Sequence, residues 1–493
     1  MRANGILMPI FSLSSDYPIG TMGKPAYEFI DFLEKAKQTY WQILPVGHTG
    51  FGDSPYQTFS CYAGNPYFID LELLYDKGLL TKKDLEEEKR YSEADGENIN
   101  YGRLYKTRYK TLKKAFRLFE ADENYTAFCN ENAYWLEPYS MFMAIKEIHG
   151  SKGIEDWDIE YKLRDSAAVA AVSVQSAESI EFYKFLQYEF FVQWQAMHAY
   201  AAAAGIKIIG DMPIYAAADS ADVWNEPEVF AVDSHMTPVS VAGCPPDEFS
   251  KDGQLWGNPL YNWDKMAQNN FEWWKRRLSH NFSLFDIVRI DHFRGFESYY
   301  SIPYGLTARK GKWEKGPSTT FFNEMKRCFG NDMPIIAEDL GFLTDDVRNL
   351  LKETGFAGMK VLQFGFGTGQ DSEYLPHNYT RHCVVYLGTH DNDTTAGWFK
   401  NLNESEKEKL FLYAGIKNGD DVVERMIDLA MESVADICIL SMQDVLGLGS
   451  QARINTPSTL GNNWQFRMKK QNTDSIAERL AKKTEVYGRG KIE

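Results

Sequence analysis

Eight short stretches rich in β-branched and other apolar residues punctuate the chain, several of them ending in polar or acidic residues. They are GILMPIFSL from Gly5, YWQILPVG from Tyr40, IKIIGDMPIY from Ile206, FDIVRIDHF from Phe285, PIIAEDLG from Pro334, GMKVLQFGF from Gly358, CVVYLGTHDND from Cys383 and ICILSMQDVLGLG from Ile437. Continuous apolar runs of this length suit strands buried on both faces. Segments of helical spacing fall between most of them: FEWWKRRLSHNF precedes the fourth run and DDVRNLLKETG follows the fifth. The second of these starts after Thr344 with acidic residues in its first turn and stops at Gly355, sound signals for both helix ends. Eight strands alternating with helices predict a (β/α)8 TIM barrel, of class α/β. Asp291, Glu338, Asp391 and Asp444 recur at intervals of 47, 53 and 53 residues, in keeping with repeating units. An open doubly wound sheet is the alternative, but no GxGxxG follows the first strand.

The whole chain, 1–493, reads as a single catalytic barrel domain with a mostly helical insertion at 65–200, between strands two and three. That insertion includes the charged TKKDLEEEKRYSEADGENINYGRLYKTRYKTLKKAFRLFE and the long helical SAESIEFYKFLQYEFFVQWQAMHAYAAAAG. Alternating charge over 81–120 marks a solvated helical face. Residues 241–263, rich in Gly, Pro and aromatics, read as a lid loop. No C-terminal β-sandwich domain is expected.

Composition narrows the function classes. Hydrophobic residues at 44% and charged residues at 25% are ordinary for a globular protein. No run of eighteen uncharged apolar residues is present, which disfavours a membrane span, and the N-terminus lacks the layout of a signal peptide. None of the six cysteines forms a CxxC, so a reduced, cytoplasmic setting is expected. The net charge of −16 disfavours nucleic acid and anionic membrane as partners. Aromatics make up 14% of the chain; most belong in the core, and the remainder suit a groove for sugar rings. Trp194, Trp273 and Trp274 occur in helical contexts and are expected in the core.

In the fourth run, Arg289 and Asp291 lie two residues apart and so share one face of a strand. Asp211, Asp291, Glu338 and Asp391 all fall at the C-terminal ends of strands, where barrel enzymes carry their chemistry. Any one of them could be a helix cap or a solvated turn residue. Four on one rim repel, which splits their proton affinities and makes one an acid and another a nucleophile. Such pairs suit cleavage of a glycosidic bond with retention. Arg289 is expected to hold Asp291 ionised, lowering its pKa, while the apolar PIIA before Glu338 is expected to raise that residue towards a proton donor. The string His390-Asp391-Asn392-Asp393 could be read as metal ligands, but no second cluster has zinc-site spacing.

The motifs VRIDHFRG, IIAEDLG and GTHDNDTT, with IGDMPIY upstream, resemble the amylomaltase family: the 4-α-glucanotransferases, or disproportionating enzymes, of glycoside hydrolase family 77 in the α-amylase superfamily. GDSPYQTFSCYAGNPYFIDL from Gly52, AGCPPDEFSKDGQLWGNPLYNW from Ala242, YLPHNY from Tyr374 and QDVLGLGSQARINTPSTLGNNWQFR from Gln443 extend the resemblance from about Gly5 to Arg467. The resemblance implies that Asp291 is the nucleophile, Glu338 the general acid/base and Asp391 a third carboxylate that stabilises the distorted sugar. It implies substrate contacts for Arg289, His390, His292 and Asp211, and for Gln254 and Trp256 in the lid. Tyr56 would line the donor side, and His377 with Asn378 would form part of the sugar-contacting rim. Departures are few: Ser458 stands where Gly is commoner, and Thr21 where an acidic residue is expected.

The implied activity is retaining transfer of an α-1,4-glucan segment to the 4-OH of another glucan or glucose. Hydrolysis of the same bond is the alternative, since both share the first step and differ in what intercepts the intermediate. Expected partners are maltooligosaccharides and other α-1,4-glucans. No organic cofactor and no metal is expected.

Overall fold

The computed structural model describes residues 2–490 except 51, 96–97, 247–250, 342, 368 and 418. Eight parallel strands form the central sheet: β1 (Ala3–Leu7), β2 (Tyr40–Gln42), β3 (Lys207–Pro213), β4 (Ile287–Asp291), β5 (Ile335–Ala337), β6 (Gly358–Val361), β7 (Cys383–Tyr386) and β8 (Ile437–Ser441). Their order is β6-β7-β8-β1-β2-β3-β4-β5, parallel throughout. The ends meet through a parallel bridge between Ile336 and Ala357, with Ala337 N–H donating to the Ala357 carbonyl at 2.9 Å. The sheet is therefore a barrel, and each strand comes from one of the eight apolar runs.

Local signals decide several helix ends. The helix Asp345–Thr354 begins with Thr344 accepting the Val347 N–H and stops at Gly355, whose φ of 76° is the left-handed conformation that glycine takes without strain. Between β2 and β3 the chain forms a series of helices running from Leu71 to Ala203, the last being Ala177–Ala203. Inside this insertion, Arg108 and Glu88 form an ion pair with both side chains fully buried. Trp194, Trp273 and Trp274 are core residues.

One segment differs from its reading in the sequence. Residues 241–263, expected as a loop, instead contain strands Ser240–Cys244 and Gln254–Pro259. They join Ser298–Pro303 and Lys312–Lys315 in a separate antiparallel sheet of four strands. Alternation is too short in SVAGC and QLWGNP to register as strands, and their partners are non-local, so pairing decides their state. Residues 247–250 of this segment lie outside the described residues.

Strand packing is tight where β1 passes between β2 and β8. A Cβ built on Gly5 would lie 2.5 Å from Tyr40 Cβ and 2.6 Å from the Tyr40 carbonyl oxygen, both closer than van der Waals contact. Because one obstacle is backbone, Gly5→Ala must push β1 from β2. We expect it to lower unfolding free energy by about 1–3 kcal/mol, as overpacking does, measured by denaturant titration.

Candidate active site

Asp291 is the last residue of β4 and Glu338 directly follows β5, its neighbour in the barrel. Backbone pairing continues past both strand ends: Glu338 N–H donates to the Ile290 carbonyl at 3.0 Å, and Phe293 N–H to the Glu338 carbonyl at 3.1 Å. Between them His292 adopts φ 53° and ψ 47°, a left-handed conformation uncommon for a residue with a side chain. This turn aims the His292 N–H at Glu338 Oε2, 2.8 Å away, while Leu340 N–H donates to Oε1 at 2.8 Å. Local strain at the rim is thus coupled to the orientation of Glu338.

Arg289 lies between two carboxylates. Its Nη1 donates to Asp211 Oδ1 at 2.7 Å and Oδ2 at 2.8 Å, and lies 3.1 Å from Asp291 Oδ1. Side-chain exposure separates their roles: 0% for Asp211, 4% for Arg289 and 28% for Asp291. Asp211, which also accepts the Tyr56 hydroxyl at 2.8 Å, has its oxygens committed inside the protein and acts by holding Arg289 and Tyr56. Asp291 alone of the three opens on the cleft.

Burial sets the proton affinities. It pushes Glu338 up to about 7, with the charge of Asp291 adding to the rise and Arg289 and the two N–H donors opposing it. Burial also raises Asp291, to about 6; Arg289 opposes this, Asp211 adds to it, His390 opposes and Asp391 adds. The sequence led us to expect a lowered Asp291. The direction is opposite because burial outweighs a guanidinium that Asp211 shares. The order between the two carboxyls is still the useful one, with Glu338 holding its proton more tightly. For His292, burial and then Arg294 lower the ring to about 3, so it is neutral.

The third carboxylate sits beyond β7. Asp391 Oδ2 is 3.4 Å from His390 Nε2, and its side chain is 45% exposed. Tyr56 stacks on His390 with ring centres 5.2 Å apart and an interplanar angle of 19°. Trp256 meets His292 edge-on at 4.8 Å, and its Nε1–H donates to Gln254 Oε1 at 3.0 Å. The structure therefore gathers Arg289, Asp211, Asp291, His292, Glu338, His390, Asp391, Tyr56, Trp256 and Gln254. His377 and Asn378 are exposed on the loop after β6, with partners outside this group. His377 pairs with the Tyr413 hydroxyl at 2.8 Å, and Asn378 donates to the carbonyls of Gln370 and Ser372.

The remainder of the string at 390–393 shapes turns: Asn392 Oδ1 accepts the Thr389 N–H at 2.9 Å and Asp393 Oδ2 accepts the Ser450 hydroxyl at 2.7 Å. Among the described residues, no group of three or more His, Cys, Asp or Glu could hold a metal ion. Reading residues singly missed Arg453, Asn455 and Trp464. Asn455 Nδ2 donates to Asp391 Oδ1 at 2.6 Å, Arg453 Nη2 to the Asp391 carbonyl at 2.6 Å, and the Trp464 ring lies 5.9 Å from Tyr56. Their signal was position, since the chain after β8 returns to the same rim.

The chain matches the family model described as 4-alpha-glucanotransferase over residues 8–473. It is 48% identical over 488 residues to the 4-alpha-glucanotransferase of Clostridium butyricum, covering 98% of this chain and 100% of that one. The Thermus thermophilus 4-alpha-glucanotransferase is 44% identical over 481 residues, covering 95% of each. Amylomaltase from Streptococcus agalactiae, in complex with acarbose, has a TM-score of 0.95 at 40% identity with full coverage of both chains.

The two carboxyls give a testable pH dependence. With Asp291 in the nucleophile role that the sequence resemblance implies, its ionised form is the active one and kcat/KM should rise as pH passes about 6. With Glu338 in the acid role implied in the same way, its protonated form is the active one and kcat/KM should fall as pH passes about 7. A bell with those limbs reports the free enzyme as a coupled pair. Glu338→Gln should remove the alkaline limb; its persistence would assign that limb elsewhere.

Proposed function

The chain belongs to the 4-alpha-glucanotransferase family, and on that footing we propose that it transfers α-1,4-glucan segments by two displacements at one anomeric carbon. In the first, Asp291 attacks C1 of the donor, the bond from C1 to the leaving oxygen breaks, and Glu338 gives its proton to that oxygen. In the second, the 4-OH of an acceptor attacks C1, its proton passes to Glu338, and the bond to Asp291 breaks. Configuration at C1 is inverted twice and so retained. Donors are maltooligosaccharides and longer α-1,4-glucans; acceptors are glucans or glucose.

The observation that carries this reading is the pairing of Asp291 and Glu338 across β4 and β5, with the proton held more tightly by Glu338. The stacked Tyr56 and His390 offer a flat face to the donor sugar, and the half-exposed Asp391 side chain can meet its hydroxyls. Trp256, on the strand Gln254–Pro259, is placed to shield the intermediate from water while an acceptor binds. The hairpin that carries it is proposed as the lid.

Maltotriose distinguishes transfer from hydrolysis. Glucose plus a ladder of longer oligomers at constant total reducing ends is the expected result; a steady rise in reducing ends without longer products would establish a hydrolase. Glu338→Gln should slow maltotriose roughly 10²–10⁴-fold, the usual worth of a general acid. It should slow a glucosyl fluoride far less, because fluoride leaves without a proton. Equal losses on both donors would remove Glu338 from the acid role. Asp291→Asn should abolish the glycosyl-protein adduct that mass spectrometry detects with a fluoride donor.

A further inference from the structure

After β8 the chain returns to the rim and closes a loop whose neck grips His390 and Asp391. Asn455 donates from Nδ2 to Asp391 Oδ1 at 2.6 Å, and its backbone N–H donates to the His390 carbonyl at 3.2 Å. Arg453 donates from Nη2 to the Asp391 carbonyl at 2.6 Å and from Nε to the Asn455 carbonyl at 2.7 Å. The neck is closed by Trp464 N–H donating to the Ile454 carbonyl at 2.7 Å and by Thr456 N–H donating to Asn463 Oδ1 at 3.0 Å. Ser458, Asn462 and Trp464 hold left-handed φ values of 62°, 57° and 63°, a shape that side-chain-bearing residues keep only when their surroundings impose it. The helical insertion also anchors it, since the Tyr101 hydroxyl donates to the Trp464 carbonyl at 2.8 Å.

An aspartate carboxylate turns broadly about its last torsion. A donor fixed on Oδ1, with the backbone pinned at the same residue, removes that freedom and sets Oδ2 3.4 Å from His390 Nε2, while the side chain as a whole stays 45% exposed. We propose that Asn455 is a positioning residue for the transfer reaction, orienting Asp391 by donating to Oδ1, with Arg453 fixing the backbone beneath it. This rests on the role given to Asp391 above. The charged and titratable groups around Asp391 are His390 on its own loop, Arg453 on the β8 loop, Asp291 on β4, and the Tyr56 hydroxyl.

The test uses the full chain with Asn455→Asp, Asn455→Ala and Asn455→Ser, following maltotriose disproportionation across pH and the melting midpoint of each variant. Asn455→Asp keeps the shape and replaces the donor by a charge that repels Asp391. At neutral pH kcat should fall roughly 100-fold, the scale of a misplaced catalytic group, with KM little changed. Relative to the parent enzyme, activity should recover as pH falls, because a protonated carboxyl at position 455 donates again. Asn455→Ser, which keeps a donor, should lose less than Asn455→Ala. Wild-type kcat in Asn455→Asp would overturn the proposal. So would equal losses in the Ser and Ala variants with an unmoved pH profile, which mark mere packing; this pair also decides the matter if Asn455→Asp does not fold. Asp391→Asn separates the two readings: full transfer activity there would refute the role of Asp391 itself.

Discussion

Arg289 sits at the centre of a rim that topology loads with negative charge, and its guanidinium is what makes that rim stable. The C-terminal ends of β3, β4 and β5 bring Asp211, Asp291 and Glu338 together at the mouth of one barrel. Unscreened, such charges would repel strongly in a partly buried site. Arg289 binds Asp211 through both oxygens while staying within 3.1 Å of Asp291. The tight partner is withdrawn from solvent and the looser one is left facing the cleft. A single cation thus separates a carboxylate that braces the site from one free to react.

The same economy appears at His292. Parallel pairing of β4 with β5 fixes the register that sets Asp291 beside Glu338, but a regular strand end would carry the next N–H elsewhere. The left-handed turn redirects it onto Glu338 Oε2. That bond, with the one from Leu340, favours the charged form of Glu338, whereas burial and Asp291 favour the neutral form and prevail. Glu338 is consequently held in a fixed orientation while its proton affinity stays raised.

Two elements outside the strand-helix repeat reach the rim of the barrel. The antiparallel hairpin presents Trp256 to His292, and the loop after β8 presents Trp464 to Tyr56 and His390. Trp464 is buried and Trp256 half-buried, so neither is a free surface ring. For transfer the value of such elements is entropic and dielectric together. An acceptor held in place outcompetes bulk water, and exclusion of water strengthens each charge interaction inside.

The barrel and its carboxylates were legible in the chain because their signals are local. Continuous apolar runs mark strands buried on both faces, a capping Thr344 and a terminal Gly355 mark one helix, and acidic residues at or just past the ends of β3, β4, β5 and β7 mark the rim. The helical insertion was legible for the same reason. Three things were decided only in three dimensions. The hairpin at 240–259 exists because distant strands pair with it, which no short window of sequence encodes. The proton affinity of Asp291 depends on burial and on Asp211, seventy-eight residues from Arg289 in sequence but bonded to it, so the neighbouring Arg289 alone predicted the wrong direction. Asn455 reaches Asp391 across sixty-four residues of chain. Periodicity records which face of an element meets the core; which side chains from separate elements share a hydrogen bond is settled by closure of the barrel.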